Sequence, residues 1–280
     1  MNAHDFSDLN GKTCVITGGA GVIGTAVCEA LAAAGIQMAI TDRNGEAATE
    51  MAARLTATYK SPCIGVEADV LDRASLEQAL EKIHLVLGPV HMLINGAGGN
   101  SPAATTKVEK ATEAENLEDT FFGLGMEGFD SVFALNFKGT LLPTQVFGRE
   151  MVERRQGVIL NISSMNSFRP LTRIPAYSAA KASVNNFTQW LAVHLAGTGV
   201  RVNAIAPGFF LTKQNKFLLE DEEGQPTARG KKILANTPVG IYGKPEDLQG
   251  AVLFLLSDMA GFITGVVLPV DGGYSAFGGV

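Results

Sequence analysis

Tyr177 and Lys181 stand four positions apart in IPAYSAAKASVNNF. Positions i and i+4 share one face of a helix, so a phenol and an ammonium there project into one cleft. A free tyrosine ionises near ~10 and is a poor base at neutral pH. A neighbouring ammonium stabilises the phenolate and is expected to draw that value down. The chemistry on offer is proton transfer at an alcohol oxygen. Four tyrosines and twelve lysines in 280 positions give about 0.17 chance pairs at this spacing, so the pair alone is only suggestive. Ser164, in NISS at 161–164, ends an apolar run just upstream. A hydroxyl at the carboxyl end of a strand can bond a substrate oxygen as its charge changes. A serine that merely caps the turn is the competing reading.

The second constellation is TGGAGVIG at 17–24, between an apolar run and an amphipathic one. Gly19, Gly21 and Gly24 satisfy G-x-G-x-x-G. A diphosphate needs backbone amides at close range with a helix amino terminus behind them, and side chains would hold it off. Asp42 ends the next apolar run, where a carboxylate can accept from both ribose hydroxyls of NAD and repel a 2′-phosphate. Arg43 beside it could pair with such a phosphate. The balance predicts NAD over NADP. A tight turn with an incidental surface Asp is the alternative.

Positioning these groups requires strands that end where they begin to act. Short apolar runs fall at 12–17, Ile36–Thr41, Cys63–Glu67, Val90–Asn95, 158–163, 200–205 and Val266–Val270. Helical patterns fall at 23–34, Gly45–Tyr59, Arg73–Leu87, 128–154, 176–196 and 246–257. Strands alternating with helices predict an α/β fold: a doubly wound parallel sheet of the Rossmann type, with helices on both faces. No linker, repeat or charge block divides the chain, so residues 1–280 read as one domain. Gly99–Gly128 and Phe209–Thr237 are less regular, and long irregular segments in compact domains tend to be lids or binding loops. A solvated surface excursion is the bland reading of each.

Composition narrows the class. Hydrophobic residues are 46% and charged residues 18%, which excludes a disordered chain. The net charge of −6, with no basic patch, argues against nucleic acid as a partner. The 32 glycines show no collagen period and serve turns and close approaches. Cys14, Cys28 and Cys63 are odd in number and read as reduced thiols, and the four histidines, His4 among them, are scattered, so no metal site is expected. The amino terminus lacks a secretory core, and no stretch is long and apolar enough for a membrane span. The expected location is the cytoplasm.

Taken in order, the glycine turn, Asp69–Val70, Asn95–Gly96–Ala97–Gly98, Asn136, Ser164, Tyr177, Lys181 and Pro207–Gly208 resemble the short-chain dehydrogenase/reductase family over nearly the whole chain. The resemblance implies a catalytic tetrad of Asn136, Ser164, Tyr177 and Lys181, with Asn136 supporting a water that passes the proton outward. It implies a cofactor site of Gly18, Gly19, Gly21, Ile23, Gly24 and Asp42, adenine contacts from Asp69 and Val70, and packing against Asn95–Gly98. It adds Tyr177 and Lys181 on the nicotinamide side, Pro207 and Gly208, the Phe210 backbone and Thr212. One departure stands out: the family pattern T-G-x-x-x-G-x-G places its middle glycine at Val22, whereas this chain has Gly21 one place earlier. INGAGGN, LNFKGTLLPTQVF, ISSMNSF, APGFFLT and LPVDGG further resemble a narrower group, the D-mannonate oxidoreductases or D-fructuronate reductases.

Such a substrate is an anion, and a net-negative protein must compensate it locally. Arg173 and Asn166 are the expected carboxylate contacts, with Asn100 and Arg169 near the same rim, Lys213 on the 209–237 segment, and Ser164 and Tyr177 at the reacting carbon. Related polyol or aldonate dehydrogenases, gluconate 5-dehydrogenase-like, remain open. So does a non-catalytic dinucleotide sensor, although a sensor needs no base. Ala180, Val184, Phe187, Trp190, Leu191 and Leu195 form an apolar stripe expected to be partly core. By resemblance this helix and the 128–154 one build dimer faces within a homotetramer. The Gly-rich GGYSAFGGV lacks helix periodicity, and the resemblance implies reach toward a neighbouring subunit's site.

Overall fold

The computed structural model describes residues 6–212 and 216–279, which leaves His4 and Lys213 outside the description. Seven strands are β1 (Thr13–Thr17), β2 (Gln37–Asp42), β3 (Cys63–Glu67), β4 (Met92–Asn95), β5 (Gly157–Ile162), β6 (Val200–Pro207) and β7 (Val267–Val270). They form one sheet in the order β3-β2-β1-β4-β5-β6-β7, every pair parallel. The chain winds outward from β1 through β3, then crosses back to place β4 on the other side of β1. Strand order reverses there, and a crevice opens beyond the carboxyl ends of β1 and β4.

The helices are α1 (Val22–Ala33), α2 (Gly45–Tyr59), α3 (Arg73–Leu87), α4 (Met126–Phe133), α5 (Gly139–Phe147), α6 (Arg149–Glu153), α7 (Pro175–His194), α8 (Lys216–Leu219), α9 (Ala228–Ala235) and α10 (Gln249–Leu256). Successive strand side chains point to opposite faces. Ile16, Met38 and Ile94 therefore pack with Val27 and Leu31 of α1, Leu55 of α2 and Leu255 of α10. Val15, Leu93 and Ile159 pack on the other face with Ile83 of α3, Phe147 of α5 and Leu191 of α7. The predicted doubly wound sheet is what the chain forms. Among the described residues no helix is long and apolar enough to cross a membrane. The three cysteines are unpaired; Cys14 and Cys28 lie in the core, where burial pushes both thiols up.

Three segments differ from their sequence reading. The helix expected over 128–154 begins at Met126 and is interrupted by a π-helical turn, Ala134–Lys138, and again before α6. The 99–128 segment carries short 3₁₀ turns at Pro102–Ala104, Ala111–Glu113, Leu117–Asp119 and Phe121–Gly123. The 209–237 segment holds α8 and α9, the latter capped by Thr227, whose hydroxyl accepts from the Gly230 amide.

A chain of amides threads the sheet just below its functional edge. Asn95 and Asn161 are paired across β4 and β5. Asn95 Nδ2 donates to Thr144 Oγ1 at 2.9 Å and to Asn161 Oδ1 at 2.8 Å, and Asn161 Nδ2 donates to Thr188 Oγ1 at 2.9 Å. These side chains link α5 to α7 through the sheet, and all four are buried. Breaking a buried hydrogen bond exposes the full desolvation cost of the partner left behind. Asn161→Ala is expected to lower unfolding free energy by about 2 kcal/mol, read from denaturant midpoints. An unchanged midpoint would show that the chain is not structural.

Candidate active site

The π-helical turn places Asn136 in the interior. Its Nδ2 donates to Gly99 O at 2.7 Å and to Val132 O at 2.8 Å, while its Oδ1 accepts from Gly99 N at 3.1 Å. The side chain thus pins the turn after β4. A Cβ on Gly98 would stand 2.6 Å from Asn136 Oδ1 and 3.2 Å from Lys181 Nζ, so only glycine lets that turn lie against both. Lys181 is 3% exposed and donates from Nζ to Ile162 O at 2.7 Å, at the end of β5. Burial pushes its ammonium down to about 8.

Ser164 follows β5 in an extended conformation and accepts from the Asn166 amide at 3.2 Å. Its hydroxyl stands near enough to Tyr177 to lower the phenol. Ser163, Ser167 and Asn185 brace this turn: Asn185 Nδ2 donates to Ser167 Oγ at 2.7 Å, and Ser163 Oγ pairs with Asn185 Oδ1. Tyr177 sits in the first turn of α7, opened by Pro175, and Lys181 Nζ lies 5.7 Å from its ring centroid. The four tetrad residues therefore share one junction. The expected downward pull of Lys181 on the phenol is not what this arrangement produces. Burial raises the Tyr177 phenol, and Ser164, by hydrogen bonding, is the group that lowers it. The ammonium is directed at a carbonyl and faces the ring instead of the phenol oxygen at close range.

Beside this junction lies a cleft of about 610 Å³ at the sheet's reversal point. Of the residues expected to hold a cofactor, Gly18, Gly21, Ile23, Gly24, Asp42, Asp69, Val70, Gly96, Ala97, Gly98, Gly208, Phe210 and Thr212 line it. Gly19, Asn95 and Pro207 sit behind the lining: the Gly19 amide donates to Thr41 O at 3.1 Å, and Asn95 belongs to the buried amide chain. Tyr177 and Lys181 stand beyond the Gly98 turn. Val22, Arg43, Ala68, Leu71, Leu135 and Phe209 also line the cleft. Arg43 adjoins Asp42, and the others each adjoin a residue expected at the cofactor site or the tetrad.

The cleft fits a dinucleotide on its own geometry. A Cβ on Gly18, at φ +64°, would fall 2.7 Å from Ala97 Cα, and one on Gly24 would fall 2.5 Å from Gly19 O. The first turn of α1, whose amides have no partner within the helix, opens on it. Asp42 accepts from Ala20 N at 3.2 Å and Asn44 N at 3.0 Å, which fixes its carboxylate on the rim.

The expected substrate contacts are more dispersed. Asn166 is buried with Oδ1 unpartnered. Asn100 Nδ2 folds back on Thr105 Oγ1 at 2.9 Å. Arg173, at φ +74°, donates from Nε to Thr106 O at 2.7 Å and accepts from Thr106 N at 2.9 Å, a two-bond staple to the 99–128 loop. Arg169 Nε donates to Ser275 O at 2.8 Å, and Tyr274 meets Phe209 edge-on at 5.3 Å between ring centres. The carboxyl-terminal segment thus folds onto its own chain.

Residues 12–223 match the family described as short chain dehydrogenase. The chain is 51% identical over 274 residues, 98% of both chains, to the uncharacterized oxidoreductase UxuB of Bacillus subtilis. It is 33% identical to a galactitol 2-dehydrogenase (L-tagatose-forming) of Cereibacter sphaeroides, covering 99% of this chain and 100% of that one. A solved structure from Haemophilus influenza, provisionally named a D-mannonate oxidoreductase and carrying bound NAD, superposes with a TM-score of 0.93 at 46% identity, covering 98% of each chain.

The buried ammonium makes a prediction about stability. With its folded pKa depressed to about 8 from an ordinary 10.5, Lys181 is neutral in the native state and charged in the unfolded one between those values. The unfolded state then binds more protons, so stability rises with pH through that window. Denaturant midpoints from pH 7.5 to 10.5 are expected to climb more in the parent than in Lys181→Met. Parallel curves would show that the ammonium is not desolvated.

Proposed function

The chain belongs to the short-chain dehydrogenase family and is an oxidoreductase acting on CH–OH groups, and we propose that it exchanges a hydride between NAD and a sugar acid, D-mannonate and D-fructuronate. The Ser164 hydroxyl beside the Tyr177 phenol, with Lys181 buried behind Gly98 at the edge of the cleft, carries the chemical part of this reading. The substrate is supported by likeness over 98% of the chain to the NAD-bound structure provisionally named a D-mannonate oxidoreductase. The cofactor, when bound, supplies the ring carbon that accepts or returns the hydride.

The protein's own groups do the rest. Gly18, Gly24 and the first amides of α1 cradle the diphosphate. Asp42 accepts from the ribose hydroxyls and repels a 2′-phosphate, which favours NAD. In the oxidation direction Tyr177 Oη, as phenolate, takes the hydroxyl proton while the hydrogen on the same carbon departs as hydride with the bonding pair, and a carbonyl remains. Ser164 holds the same oxygen by hydrogen bond. Lys181, fixed on Ile162 O, holds the nicotinamide ribose. Asn136 acts by fixing the Gly98–Gly99 turn against Lys181. Asn166, Asn100 and the Arg173 staple border the substrate.

A neutral-polyol or other aldonate dehydrogenase is the second reading, favoured by the likeness to galactitol 2-dehydrogenase. A non-catalytic sensor is disfavoured by the full tetrad. The three unpaired thiols fit a reducing cytoplasm.

We also propose that α7 forms a face between copies. Phe137, Phe187, Trp190 and His194 form a continuous run of ring contacts, with Trp190 56% and Val193 78% exposed. Such a run, along α7 and onto the π-helical turn, marks an association surface.

Initial rates with D-fructuronate test the reaction and cofactor together. The parent is expected to use NADH at least ~10-fold better than NADPH, and Tyr177→Phe to lose ~10²–10⁴-fold in kcat while still binding NAD by calorimetry. Parent-like turnover in Tyr177→Phe removes the base, and inactivity on D-fructuronate with turnover of galactitol favours the second reading. Light scattering tests assembly: Trp190→Glu is expected to reduce the particle mass, and an unchanged mass excludes this face.

A further inference from the structure

A sugar acid extends beyond its reacting carbon, and its carboxylate needs a cation in a protein of net charge −6. A second cavity, of about 220 Å³, adjoins the dinucleotide cleft, with Phe209 lining both. Its walls come from parts of the chain that converge only in the fold. Thr172 stands on the segment between Ser164 and Tyr177, Glu109 on the 99–128 loop, Arg229 and Lys232 on α9, and Tyr274 on the carboxyl-terminal segment.

The charges in this cavity are unequal in their commitments. Lys232 Nζ holds Glu109 Oε2 at 2.9 Å, and the pair keeps the Glu109 carboxyl below the usual carboxylate range. Arg229, one turn earlier on the same face of α9, is half-buried and has no hydrogen bond or ion pair among the described residues. Two cations and one carboxylate leave the cavity one positive charge, the complement of a monocarboxylate. The other arginines near the rim are engaged: Arg173 Nε on Thr106 O and Arg169 Nε on Ser275 O, and neither lines the cavity.

We propose that this cavity receives the carboxylate of the sugar-acid substrate, with Arg229 as its partner and the Lys232–Glu109 pair fastening the 99–128 loop over it. The assignment rests on the sugar-acid reading above. A planar guanidinium presents parallel donors to both carboxylate oxygens, so it selects an acid over a neutral polyol. Arg229 is a specificity-determining residue, remote from the proton and hydride that move.

Initial-rate kinetics with saturating NADH compare the parent, Arg229→Gln and Arg229→Lys, each on D-fructuronate and on the neutral ketose D-fructose. In Arg229→Gln the KM for D-fructuronate is expected to rise at least ten times more than the KM for D-fructose, with kcat for D-fructuronate within about threefold of the parent. Arg229→Lys is expected to recover part of the loss, which a merely structural defect would not do. An unchanged KM for D-fructuronate in Arg229→Gln, in an enzyme whose parent reduces it, overturns the site and leaves the substrate reading standing. A parent that reduces D-fructose but not D-fructuronate overturns the substrate reading and the site with it.

Discussion

The structure depends on keeping one ammonium in a dry place. Lys181 is almost wholly buried, and burial brings its ammonium down to about 8. What holds the group is its donation to Ile162 O, at the end of β5, beneath a turn that only glycine can make at Gly98. That turn is in turn held by Asn136, whose three side-chain bonds to Gly99 and Val132 require the π-helical widening between α4 and α5. A regular helix there would carry the side chain around the axis and away from the turn. The irregularity is therefore the means by which an interior helix reaches the carboxyl edge of the sheet.

Much of this was legible in the residues. The strands fell within two residues of their predicted bounds, because short β-branched runs bounded by glycine or polar residues leave few alternatives. The doubly wound parallel sheet followed from the alternation of strands and helices. The glycine turn and the Tyr177–Lys181 pair carried their chemistry in spacing, while Asn136 came from the family resemblance. The π turn was not legible, since nothing in LNFKGT marks an extra residue per turn. α9 was missed because ARGKKILA is short and strongly basic, with only Gly230 and Ile233 buried, so its pattern reads as a solvated loop. Its charges matter because of what lies opposite, and Glu109, more than a hundred positions away, cannot be assigned to it from periodicity.

The phenol shows a different limit. Spacing places Tyr177 and Lys181 on one helical face, and that part holds. Spacing says nothing of which atom each charge faces or how dry the site is. Desolvation raises the phenol, Ser164 opposes it by hydrogen bonding, and the ammonium is turned toward a backbone carbonyl. Proximity in sequence predicted the partners correctly and the sign of the balance incorrectly, because burial is a property of the whole fold.

The glycine turn resolves the one departure from the family pattern in the same physical terms. Gly18 and Gly24 are the positions where a side chain would strike backbone, of Ala97 and Gly19 respectively. Gly21 caps α1, and a Cβ there would meet only Gly18 O at 3.2 Å. Val22, where the family places a glycine, is the first helical residue, and it lines the cleft beside the amides without blocking the close contact at Gly24. The two glycines that the backbone requires are present, and the third marks where the turn ends. A valine at the helix start adds an apolar wall to the cleft while leaving the helix-start amides open to it, so the turn keeps its close contacts under a pattern it does not match.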